Sequence, residues 1–158
     1  MQADELAEQV VDTWRIHHRI NLYLLDAVPD EALGDVAPSK GRSVGEVFAH
    51  VHNVRLMWLK EAGPDLLEGL EKVEKDAALD RAGLRRALEA SAGAVERLLE
   101  RALEAGRVKG FKPHPLAFLG YLVSHESHHR GQVAVALKAN GHPLDRKTAY
   151  GLWEWGVR

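Results

Sequence analysis

Cysteine is absent from the 158-residue chain. That excludes a disulfide framework, a thiolate metal ligand and a cysteine nucleophile, so any thiol chemistry must use a sulfur carried by a substrate. A block of like charge is missing as well. The 21 Lys and Arg are interspersed with 23 Asp and Glu for a net charge of -2, which leaves no electrostatic footprint for nucleic acid. No stretch approaches the roughly 18 apolar residues of a membrane-spanning helix. The opening MQADELAEQVVDTW is acidic and of helical period, unlike the basic segment and apolar run of a secretion signal, and predicts a cytoplasmic protein with no membrane partner. No repeat, low-complexity tract or convincing strand pattern is found. With 46% hydrophobic and 28% charged residues, what remains is the composition of one globular domain spanning residues 1–158.

Four long segments of helical period stand between Gly- and Pro-containing connections. The first runs from about Ala3 to Val28, with Leu6, Val10, Trp14, Leu24 and Val28 on one face and His17 and Asn21 in the middle of that stripe. Two polar groups therefore face inward, where hydrogen bonding to each other or to water would satisfy them. After a loop from Pro29 to Arg42, Ser43 and Glu46 have capping-box spacing and start a second helix that ends near Ala62, before Gly63 and Pro64. The segment 63–79 has mixed charge and reads as a solvated connection without visible chemistry. A third helix, Asp80 to Ala105, repeats Leu84, Leu88, Ala92, Val95, Leu99 and Ala102 and reads as scaffold. The fourth starts at Pro113 or Pro115 and stops at Asn140, Gly141 and Pro143. On its outer face the small residues Gly120, Ser127, Gly131 and Ala134 permit close approach of another helix, in the chain or in a dimer. A tail, Asp145 to Arg158, forms a short helix whose Tyr150, Trp153 and Trp155 suit a cap on the bundle or a dimer contact. Four amphipathic helices without strands predict an all-α four-helix bundle with a short C-terminal helix, a fold that builds metal sites in its core.

The chemistry concentrates in SHESHHRGQV, Ser124 to Val133. A four-residue step on a helix leaves His125 and His129 about 40° and 6 Å apart, a spacing that can chelate one metal. Both share a face with Phe118 and Ala136, so the imidazoles point toward the core, where a shared cation would use one lone pair of each. A third ligand must come from another helix. In the second helix His50 and His52 are about 200° apart, so only one can join; the apolar neighbours Phe48, Leu56 and Leu59 tilt the wheel toward His52. His128 is an alternative partner for His125, about 60° away, but is less well centred on the apolar face. His114 and His142 read as capping or surface groups.

HESHHRGQ in a late helix, preceded by SVGEVFAHVHNVRLMWL after a first long helix, resembles the DinB/YfiT-like superfamily of metal-binding four-helix bundles. The resemblance covers most of the chain. It implies a metal triad of His50, His125 and His129, overriding the tilt toward His52, and a homodimer. It also implies a small-molecule substrate: members include metal-dependent enzymes that transfer low-molecular-weight thiols or isomerise small acids.

His125, Glu126 and His129 also satisfy the H-E-x-x-H signature of zinc peptidases, with the glutamate as general base. The context disagrees, because the metzincin extension requires glycine at position 132 and histidine at position 135, where the chain has Gln132 and Val135. Three neutral imidazoles would leave a divalent cation its charge and an open position for water or a thiolate, which suits hydrolysis or thiol transfer by Zn, Ni or Fe. Glu126, Gln132, Asn21 and His17 are candidate partners for the ring nitrogens that face away from the metal. Glu126 and Arg130 are the candidate catalytic residues, Arg130 as an anchor for a substrate carboxylate or else as half of an interhelical ion pair. A noncatalytic metal-binding stress-response bundle is the alternative function.

Overall fold

The computed structural model describes residues 1–158 and contains helices without any sheet. Four long helices, α1 (Ala3–Asp26), α2 (Val44–Ala62), α3 (Arg81–Ala105) and α4 (Pro115–Ala139), are followed by α5 (Arg146–Gly151). Single 3-10 turns occupy Asp30–Gly34, Pro64–Leu67 and Trp155–Val157. The starts follow from side chains that accept orphan backbone N–H groups. Ser43 Oγ accepts from Glu46 N at 3.3 Å while Ser43 N donates to the Glu46 carboxylate at 2.7 Å, and His114 Nδ1 accepts from Ala117 N at 3.1 Å. At the other end of α3, Gly106 takes the left-handed conformation (φ 68°) and closes the last turn onto the Ala102 and Leu103 carbonyls. The expected first helix is two residues too long. Pro29 disfavours helical geometry at Val28, so α1 stops at Asp26.

Side-chain pairs fix the helix directions. Arg15 meets Glu96 and Asp26 meets Arg85, so α1 and α3 are antiparallel. Arg55 reaches Leu88 and Ser91 while Asp65 pairs with Arg101, so α2 and α3 run parallel. Parallel neighbours need a connection that travels back the length of a helix. Residues 63–80 do so along α2: His52 Nε2 donates to the Glu71 carbonyl at 2.8 Å, and Asn53 makes a two-way amide clasp with the Val73 backbone at 2.9 Å in each direction. The segment expected to be a solvated connection is therefore a fixed strap over α2.

The apolar interior is split in two. A cluster of 16 buried residues from Leu22 to Leu137 and another of 14 from Val10 to Leu122 are separated by one polar layer, to which each long helix contributes near its middle. These are His17 and Asn21 of α1, Arg55 of α2, Ser91 of α3 and Glu126 of α4, all buried. Leu6 departs from the expected stripe, being 47% exposed. It lies level with the C-terminus of α3 and the N-terminus of α4, where little chain is left to cover it. Gly120 and Gly131 have nothing within 4 Å of an added Cβ, so no helix of the same chain approaches that face of α4. Trp153 and Tyr150 are 80% and 60% exposed, and the tail is held by Leu152 packed against the core and by Arg158, which lies over the Tyr23 ring at 3.8 Å.

Burial also makes the fold sensitive to acid. Removal from water pushes the His18 imidazole down to about 3, and its Nδ1 has no hydrogen-bond partner. A histidine with a folded pKa below its unfolded value binds its proton more readily when unfolded, so stability falls as pH drops below about 6.5. Between pH 6.5 and 5 this group alone removes up to about 1.4 kcal/mol per pH unit. Urea denaturation across that window should give a shallower loss for His18→Gln; identical slopes would contradict it.

Candidate metal centre

α4 carries His125 and His129 on successive turns, and the antiparallel α2 brings His50 opposite them. The ring centroids lie 5.5 Å (His50 to His125), 4.7 Å (His50 to His129) and 4.6 Å (His125 to His129) apart, and the three donor nitrogens lie within 4.8 Å of one another. Nε2 of His125 and Nε2 of His129 approach to 3.1 Å. Two nitrogens bound at about 2.0–2.1 Å around one tetrahedral zinc sit roughly 3.3 Å apart, so the pair is spaced as bidentate chelation requires. His129 Nδ1 donates to Gln132 Oε1 at 2.8 Å, which places the proton on Nδ1 and leaves the Nε2 lone pair facing the other two rings. The donor set fits a divalent cation.

Electrostatics favour the neutral, metal-binding form of each ring. Burial is the leading cause that lowers the pKa of all three, and His50 falls to about 4. After burial, the largest influence on His50 is the positive charge of Arg42, which also acts on His125 and His129. His50 and His125 remain partly exposed. Beside His50 opens a cavity of about 600 Å³ lined by Arg42, Asn53 and the strap residues Lys72 to Lys75.

The other histidines lie elsewhere. His52 is buried and turned to the strap carbonyl of Glu71, which corrects the wheel's tilt toward it: the apolar neighbours indicated burial, and burial here serves a backbone contact. His128 is exposed on the rim, where its Nε2 accepts from Gln132 Nε2 at 3.2 Å. His114 caps α4, and His142 pairs with Asp35 at 2.6 Å.

Glu126, proposed from the H-E-x-x-H reading as a general base and as a partner of the metal ligands, is placed in the polar layer instead. Arg55 grips its carboxylate with two hydrogen bonds of 2.9 and 2.6 Å. His17 Nε2 and Asn21 Nδ2 donate to the same Oε1 at 3.0 and 2.8 Å. The Arg55 charge and these donors hold Glu126 far below the usual carboxylate range despite complete burial, while burial keeps His17 neutral. A residue next to a helical ligand points about 100° away from it, so the sequence neighbour of His125 faces the bundle axis. Asn21 and His17 thus serve Glu126 and not the triad; of the four expected outer partners only Gln132 touches a ligand ring. Arg130 donates to Asn21 Oδ1 at 2.6 Å, to His17 Nδ1 at 3.2 Å and to Ser127 Oγ at 2.9 Å, and it forms no interhelical ion pair. Arg55, the centre of the layer, escaped sequence reasoning; the one signal for it was a lone arginine within the apolar run VRLMWL.

Because Gln132 alone orients His129, Gln132→Ala should weaken metal binding by about 10–100-fold. Competition with a chromophoric chelator measures this, and an unchanged affinity would remove Gln132 from the site.

Residues 1–154 match the DinB family. No curated protein and no solved structure shows significant similarity to the chain.

Proposed function

The chain belongs to the DinB family, and on that premise we propose that it is a metal-dependent enzyme acting on a small molecule, by thiol transfer or hydrolysis. The observation that carries this reading is the open triad: three imidazoles converge from two helices, and one of them, His50, lines a cavity of about 600 Å³. A bound divalent cation would supply Lewis acidity, lowering the pKa of a water or holding a thiolate at neutral pH. The chain's own part is to keep the rings neutral by burial and to fix the His129 tautomer through Gln132. A closed site with four protein donors would suit a noncatalytic bundle; only three donors converge here.

The test is consumption of small thiols with electrophilic acceptors by Zn- or Ni-loaded protein, with His125→Ala in parallel. Turnover that disappears in the variant supports the enzyme reading, and equal rates discard it. The same reading takes the protein as a homodimer through the outer face of α4. There Leu116 and Val135 are 53% and 57% exposed, alongside glycines that nothing in the chain covers.

A further inference from the structure

We infer that Arg42 is the specificity-determining residue of this site and that the ligand is a small molecule carrying a carboxylate, held by Arg42 while a second donor group occupies the metal. This rests on the metal-centre reading above.

Arg42 ends the loop that precedes α2 and lies where two cavities meet. It lines the cavity of about 600 Å³ that reaches His50, and also a second of about 490 Å³ bounded by His128 and Gln132. Arg42 is exposed and enters none of the ion pairs of the fold. The first cavity holds two further cations, Lys72 and Lys75, against Glu46 and Glu74. Glu46 is committed to the cap of α2, and Glu74 stands 4.0 Å from Lys72. Three cations against two carboxylates leave the lining with a net positive charge.

An unpaired arginine beside a triad of cation ligands is costly for metal binding. Arg42 and His50 share the wall of one cavity, so a dication held by the three rings meets the guanidinium charge across it, and that repulsion scales with the charge of the ion. A carboxylate between the two positive centres removes that repulsion, and the planar fork of arginine matches its two oxygens. Anion and metal must then bind with positive coupling, each raising the affinity of the other.

Cobalt(II)-loaded protein gives a direct readout through thiolate-to-cobalt absorption. The probes are 3-mercaptopropionate, which has the carboxylate, and 2-mercaptoethanol, which lacks it. Wild type should prefer 3-mercaptopropionate by about tenfold or more. Arg42→Gln should bring the affinities of the two probes together, while Arg42→Lys keeps part of the preference. Without thiol, Arg42→Gln should bind cobalt a few-fold more tightly than wild type. A preference that survives Arg42→Gln would put the carboxylate on the metal and overturn the inference, as would equal affinities in wild type or no thiolate band with either probe on loaded protein. Failure of wild type to take up cobalt is a separate outcome, which defeats the metal reading and this inference with it.

Discussion

Arg55→Met is expected to destabilise the fold by about 3–5 kcal/mol, the usual consequence of stranding one member of a buried ion pair. Arg55 and Glu126 are 0% and 1% exposed, and the arginine supplies two of the four hydrogen bonds that the carboxylate receives. Its Nη1 also satisfies the Leu88 carbonyl and Ser91 Oγ, and its Cζ lies 4.9 Å from the centroid of the Trp14 ring, so the loss reaches three helices. The deficit should depend on pH. In wild type the Glu126 pKa is depressed, giving stability that is present above the unfolded value near 4.5 and lost as pH falls through the folded one. Without Arg55, burial raises that pKa, so the sign reverses: the carboxyl is tolerated when protonated and penalised as pH rises. Urea denaturation should therefore show a larger difference between variant and wild type at pH 7 than at pH 5. Arg55→Met combined with Glu126→Leu should recover much of the loss, since removing both charges spares the desolvation of each. A single-variant loss below about 1 kcal/mol would mean that the layer is not the tie it is taken to be.

The second large effect concerns the ligands. His125→Ala or His50→Ala should reduce metal affinity by on the order of a hundredfold or more, exceeding the loss from an outer-shell partner such as Gln132. His52→Ala should leave metal affinity unaltered, because that ring is spent on the Glu71 carbonyl. Added metal should raise the thermal midpoint of wild type and of His52→Ala, and should do so only weakly for the two ligand variants, since ligands that bind the native state stabilise it by mass action. Equal metal-induced shifts in His50→Ala and wild type would exclude α2 from the centre.

The helices were legible because their determinants are local. Ser43 with Glu46, Asp80, Pro115 and Gly106 mark ends within a turn of where they act, and the pairing of His125 with His129 is a property of one helix. What could not be read depended on partners distant in the chain. The wheel leaves His50 and His52 on opposite shoulders of α2, and their roles diverge only because the strap returns to take one of them. The inward position of His17 and Asn21 was visible, yet their common acceptor, Glu126, looked like part of a catalytic string until Arg55 supplied the counter-charge. The strap itself carried no pattern that marks its Lys72 to Lys75 as a cavity wall.

The division of donors between α2 and α4 bears on synthesis. A ribosome has released His50 long before His125 emerges, and a lone imidazole cannot compete for scarce cellular cations. A cation that needs all three rings could therefore bind only after the last long helix docks, which would tie occupancy of the site to completion of the fold.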